Sequence, residues 1–226
     1  GIPGRQVGDG TDGHSLWPSF TNVPNEFIES YFPLRIERYE TICDSGGAGL
    51  HRGGNGLSVA YRFLVDGHVG IHDERWLTYP WGVLGGETGL RSSKKIVRTD
   101  GSEEWLPSKI EGVKVSAGDL LYFNTWGGGG WGDPLERDPE LVSHDVARRL
   151  VSVDGARRYG VVLSPDGSVN MSATEELRQM MRADRPQDAE LFNRGGSIED
   201  IKARCLEETK LDPPVTPQFS SAGASA

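Results

Sequence analysis

Three runs of glycine constrain this chain more than any other feature. They are D-S-G-G-A-G-L-H-R-G-G-N-G over residues 44–56, P-W-G-V-L-G-G-E-T-G over 80–89 and T-W-G-G-G-G-W-G-D-P over 125–134. Glycine supplies 31 of the 226 residues, roughly twice the ordinary share of about 7%. Each ordered glycine loses more conformational freedom on folding than any other residue, so packing must return that loss.

Three readings of these runs compete. The first is a phosphate cradle, with Gly47-Ala48-Gly49 as part of a dinucleotide fingerprint. That loop needs a strand before it, a helix opening directly after it and an acidic residue some way on. Here a β pattern or a proline follows each run, and no G-K-[ST] occurs. The second is a flexible linker, but linkers are poor in aromatics, whereas these runs carry Trp81, Trp126 and Trp131. The third is extended backbone packed so closely that only glycine fits, as in polyproline II assemblies, with the tryptophans covering it. The third reading is preferred.

Between the runs the periodicity is that of strands. Leu34 and Ile36 alternate with Arg35 and Glu37 within 33–42, and Leu57, Val59, Tyr61 and Phe63 share a face. Val69 and Ile71 do so in the next segment. Segments 94–99 and 103–106 flank Asp100-Gly101, a type I′ hairpin signal, and 113–115 and 120–124 bracket Ala117-Gly118-Asp119. Residues 1–32 read as ordered loop with one helical turn at 25–30.

After Pro134 the pattern becomes helical. Asp138 with Pro139 opens a helix to about Leu150, and Ser152 opens a short one ending before Tyr159. Residues 159–163 read as a strand. Ser172 with Glu175 and Ser197 with Asp200 form capping boxes for two further helices. The expected fold is mainly β with a small α-helical C-terminal part. The expected division is a glycine-rich β part over 1–133, a helical part over 134–212 and an extended tail over 213–226. Gly1-Ile2-Pro3-Gly4 and Ser220–Ala226 read as loose ends. Gly1 stands first with neither an initiator Met nor a signal-peptide pattern, so the chain reads as processed or as starting mid-protein.

Charge narrows the function classes. A formal charge of -9 with mixed signs offers no basic face for nucleic acid. No apolar run is long enough to span a membrane, and a cytoplasmic location is expected. Cys43 and Cys205, distant and without a C-x-x-C partner, read as two reduced, buried thiols.

The chemistry candidates each have a structural rival. His72-Asp73-Glu74-Arg75 is the densest ionisable cluster, and His72 with a distant carboxylate suits a metal. The rival is a strand end carrying an Asp73–Arg75 pair. Arg52, framed by Asp44 and His51, suits a carboxylate or phosphate, or else hydrogen-bonds loop carbonyls. Asp9, Asp12 and His14 form a loose metal-ligand group that lacks the later acid of a calcium loop. Ser45 lies outside any G-x-S-x-G elbow, and no nucleophile, base and orienter occur at a legible spacing.

An ordered string of motifs adds a resemblance. N-V-P-N-E-F-I-E-S-Y-F-P-L-R-I-E-R-Y, the D-S-G-G run, E-R-W followed by P-W-G-V-L-G-G-E-T-G, the G-D-L-L-Y-F-N-T-W-G-G-G-G-W-G-D-P-L-E-R-D-P-E stretch and G-A-R-R-Y-G-V-V-L occur in that order over about residues 15–165. The string resembles the carboxy-terminal portion of hydantoinase B/oxoprolinase proteins. The resemblance implies barrel-like β-sheets with a bundle of polyproline II-like segments. It also implies a multi-subunit, ATP-dependent enzyme that opens cyclic amides or carboxylates ketones such as acetone and acetophenone. Its implied partners are a hydantoinase A-type ATP-binding subunit and the remaining B-type polypeptide. ATP and a divalent metal would be bound mainly outside this chain, which would serve as scaffold, subunit interface and one wall of a site.

Overall fold

The computed structural model describes residues 1–14, 21–185 and 191–215. Its centre is made of the glycine runs. Gly127 to Gly130 lie in one extended segment surrounded by other chain segments. A polyproline II helix turns once every three residues and makes no internal hydrogen bonds, so its backbone groups must find partners in neighbours. The Gly128 N–H donates to Gly54 O at 2.8 Å, Gly130 N–H to Glu87 O at 2.9 Å and Gly127 N–H to Leu90 O at 3.1 Å. In return Gly129 O accepts from Gly4 N–H and Gly128 O from Gly47 N–H, both at 2.8 Å.

The same threefold turn explains why four glycines run together. A Cβ on Gly127 would overlap the Ser45 carbonyl, one on Gly128 the Ile2 carbonyl and one on Gly129 the Trp81 carbonyl. One on Gly130 would strike Ala48 O, three residues along the segment that Gly127 already faces. With neighbours on all three sides, every residue of the central turn must be glycine. Peripheral segments repeat it at every third position, as at Gly46 and Gly49, Gly53 and Gly56, and Gly86 and Gly89, and add Gly47 and Gly54 where a further segment presses on them. None of these glycines has positive φ. They are required for space, not for conformation.

The close-packed reading of the runs therefore matches the structure, with two differences. Residues 1–4, expected as a loose end, form a segment of the bundle, where Gly54 N–H donates to Ile2 O at 2.8 Å. Trp81 is 43% exposed rather than buried, with the Phe192 ring centroid 5.8 Å away and the Arg194 guanidinium over its ring.

Around the bundle lie open sheets. Strands β1 (Leu34–Thr41), β2 (Leu57–Phe63), β5 (Ser93–Val97), β6 (Glu103–Leu106) and β8 (Leu120–Asn124) form an antiparallel sheet in the order β1-β2-β8-β5-β6. β3 (Gly67–His72) pairs with β7 (Lys109–Val115), and β4 (Gly82–Val83) with β9 (Phe192–Asn193). Ile71, Val113 and Val115 of the β3–β7 pair pack on Ile96, Leu106 and Leu121 of the large sheet, so alternation in sequence becomes a two-layer core. Helices α1 (Asn25–Tyr31), α2 (Pro139–Ala147), α3 (Met171–Ala183) and α4 (Ile198–Thr209) complete the order. A second core joins Ala48 of the first glycine run to Val142, Val151, Ala156, Tyr159 and Val161.

Several expectations are corrected. The described residues are about 25% strand and 24% helix, a mixed fold with open sheets and no closed barrel, rather than mainly β and barrel-like. The Asp100-Gly101 turn is not type I′, which needs positive φ at two residues. Only Gly101 is positive, at +84°, and its N–H closes on Arg98 O at 2.9 Å. Residues 159–163 form no strand, because Gly160 turns left-handed at φ +63° after a 3-10 turn at Gly155–Tyr159. Asn170, not Ser172, caps α3 through the Ala173 N–H at 3.1 Å. Asp138 and the Ser197–Asp200 box cap α2 and α4 as expected. Cys43 is exposed and Cys205 buried, both free. The end of the expected tail, from residue 216, lies outside the described residues.

The packing argument separates two kinds of glycine. Gly112 has φ +67° with open space around it, so Gly112→Ala costs only the left-handed strain of about 1–2 kcal/mol. Gly129→Val forces backbone segments apart and costs more than about 4 kcal/mol. Urea denaturation of both variants checks this. A folded Gly129→Val chain of near-native stability contradicts it.

Candidate functional site

Two polar centres adjoin the bundle, and they differ in kind. The first is a buried network. The Arg52 guanidinium holds Asp12 by two bonds of 2.7 and 3.0 Å, and its Nε lies 3.3 Å from Asp145. Arg137, with 1% of its surface exposed, holds Asp9 by two bonds of 2.7 and 2.8 Å and also donates to Asp145 at 2.8 Å. The two carboxylates also accept backbone N–H bonds, Asp9 from Arg52 at 3.0 Å and Asp12 from Asn55 at 2.7 Å. Burial alone raises both carboxyl pKa values, but the arginine hydrogen bonds and charges outweigh it and hold both below the ordinary range. The network ties the 8–13 segment and α2 to the first glycine run.

Asp9 and Asp12, weighed above as metal ligands with His14, thus face guanidinium groups. His14 is exposed at the edge of its described stretch. Among the described residues no three His, Cys, Asp or Glu side chains are placed to hold a metal. Arg52 does donate to a loop carbonyl, Gly53 O at 3.1 Å, but its main partners are the two aspartates.

The His72–Arg75 cluster is dispersed by the end of β3. His72 points to solvent and meets Glu111 at 2.5 Å, and Glu74 meets Lys109 at 3.0 Å. Asp73 turns inward to Lys94 and the Ser92 hydroxyl. Arg75 adopts φ +57°, is exposed, and does not pair with Asp73. The expected Asp73–Arg75 pair does not form because the strand stops at His72.

The second centre is a cleft of about 590 Å³, within the range of small-ligand sites. The second glycine run, the lead into β5, the Gly155–Tyr159 turn and α4 enclose it. Tyr79, Arg91, Arg158, Arg204, Glu208 and Trp105 give its chemistry. Arg158 is fixed by Glu87 at 2.7 Å and by the carbonyls of Asp44 and Gly46. The Arg91 side chain is only 5% exposed, and donates to Trp76 O at 3.1 Å and to Glu208. The Tyr79 ring stacks under both Arg91 and Arg204, with guanidinium carbons 5.2 and 4.8 Å from its centroid. Burial raises the Tyr79 phenol pKa, so its hydroxyl stays a donor at neutral pH.

None of these residues stood out by spacing, because tertiary packing joins them across more than a hundred positions. The available signal was the ordered motif string, which includes Glu87 in G-G-E-T-G and Arg158 in G-A-R-R-Y.

The comparisons with known proteins agree with that string. The family model described as hydantoinase B/oxoprolinase matches residues 1–134. The chain belongs to the hydantoinase B/oxoprolinase family. It is 33% identical to the B-type subunit of a putative D-/L-hydantoinase from Pseudomonas sp. (strain NS671), over 78% of this chain and 30% of that protein. It is 30% identical to the acetophenone carboxylase delta subunit of Aromatoleum aromaticum, over 68% of this chain and 27% of that one. Among solved structures, the ATP-dependent caprolactamase of Pseudomonas jessenii superposes with a TM-score of 0.67 at 28% identity, covering 79% of this chain and 32% of that chain. The family member described here thus spans about 30% of the length of these relatives.

The buried network yields a stability test. Arg137→Met leaves Asp145 facing the core with one arginine fewer, and breaking such a buried pair costs about 3–5 kcal/mol. Because Asp9 and Asp12 have depressed folded pKa values, their contribution is full above about pH 4 and is lost as pH falls through the folded values. Urea midpoints should therefore fall with pH below about 4 in the native chain, and less steeply in Asp12→Asn. An equal slope in both contradicts this reading.

Proposed function

We propose that this chain is part of the B-type subunit of a multi-subunit, ATP-dependent enzyme. The reaction is the opening of a cyclic amide of the hydantoin, oxoproline or lactam kind, or the carboxylation of a ketone of the acetone or acetophenone kind. The observation that supports this most is the family membership, joined to relatives named for both reactions. Its partners are a hydantoinase A-type ATP-binding subunit and the remaining B-type polypeptide.

ATP and a divalent metal belong to the complex in this reading, but the residues described do not fit either group. The glycine amides that a phosphate would need are spent on backbone carbonyls: Gly47 on Gly128, Gly53 on Gly47 and Gly54 on Ile2. The candidate metal ligands Asp9 and Asp12 are held by arginines, and His72 stands apart at the end of β3. The chain's own contribution is a rigid scaffold and the wall of a cleft with fixed arginines. No step of ATP or metal chemistry is assigned to its residues.

A second reading, a non-catalytic docking module of the same complex, is favoured by the buried network, since its charges are all committed to holding segments together. Reconstitution separates the two. ATP turnover is measured with and without this chain, on lactams or hydantoins and on ketones with bicarbonate. Omitting it should lower substrate-dependent turnover by about tenfold or more, a barrier change of about 1.4 kcal/mol. Unchanged turnover favours the docking reading, and activity on neither substrate class contradicts the enzymatic one.

A further inference from the structure

The cleft contains a carboxylate cradle that one of the chain's own side chains occupies. Glu208, on the last turn of α4, places one oxygen 3.3 Å from the Tyr79 hydroxyl and the other against the Arg91 guanidinium. The two partners differ in mobility. Arg91 is fixed: its side chain is 5% exposed and its Nε is buried with no hydrogen-bond partner among the described residues. Glu208 is 51% exposed and sits near the end of its helix. The buried charge belongs to the cradle, and its carboxylate is on the side that reaches water.

We propose that the Tyr79–Arg91–Arg204 wall is a binding subsite for the carboxylate of a small organic acid, with Glu208 as its internal stand-in. A guanidinium presents donors in a fixed plane that matches a carboxylate, and the Arg91 and Arg204 guanidinium groups both lie over the Tyr79 ring. Leu90 and Trp105 line the same cleft and offer apolar surface to the body of the acid. When the ligand arrives, Glu208 swings outward and the ligand carboxylate takes its two donors, so no buried charge is left unpaired.

The identity of the acid rests on the proposed function. Hydrolysis of a lactam opens the ring to a carboxylate and an amine, hydrolysis of a hydantoin to a carboxylate and a urea, and addition of a carboxyl group to a ketone gives a keto acid. Both reactions create a carboxylate, so the subsite would hold the product end of either.

The binding test uses the full chain without ATP or partners, so its outcome is independent of the turnover experiment. Glutarate is titrated by calorimetry and by tryptophan fluorescence, with glutaramide as the neutral control of equal shape. Glutarate should bind saturably and glutaramide at least about tenfold more weakly, a difference of about 1.4 kcal/mol. Glu208→Gln removes the competitor's charge and should tighten glutarate binding by about tenfold, whereas Arg204→Gln should weaken it by a similar factor. Equal binding of glutaramide, or Glu208→Gln binding glutarate no better than the native chain, overturns the proposal. Should Glu208→Gln fail to fold, Arg204→Gln decides alone: undiminished glutarate affinity in that variant overturns it.

Discussion

Contact between backbones, with no side chain between them, is the constraint on which this structure depends. Short extended segments meet at distances that a single Cβ would prevent, and the central one is glycine on every face. Such packing has little apolar surface to bury. It is held by hydrogen bonds from segment to segment, each modest in net worth but expensive to leave unmade once water is excluded. The entropy lost by so many glycines is offset only if all segments are present together, which makes the bundle cooperative.

That requirement accounts for the charged network around it. Arg52 and Arg137 reach from the centre to aspartates on two other elements, fixing the 8–13 segment and α2 against the first glycine run. One hydrophobic core then joins the bundle, through Ala48, to the C-terminal part, while a second packs the sheets on each other. The interior arginines therefore serve architecture. The cleft, by contrast, lies at the margin where the second glycine run meets α4, and there Glu208 is half exposed and its arginine is not.

Much of the fold was legible because local physics decided it. The strand alternation in β1, β2 and β3, the Asp138 cap and the Ser197–Asp200 box all involve residues near in sequence. The clustering of glycines in three runs that also carry Trp81, Trp126 and Trp131 pointed to the bundle itself. What was not legible depended on distant partners. Asp9 and Asp12 look like metal ligands until Arg137 and Arg52 arrive from 128 and 40 positions away. Asp73 looked paired with Arg75 until the strand ended and turned it to Lys94. The cleft is formed by Tyr79 and Glu208, 129 positions apart, and no local pattern announces such a meeting.

Amide hydrogen exchange tests the central claim most directly. If the glycine segments form a cooperative, water-excluding bundle, the amides of Gly47, Gly54, Gly128 and Gly130 exchange only when the whole chain unfolds, as slowly as those of β2 and β8. Exchange of those four at the rate of open loops, while the strands remain protected, contradicts the account.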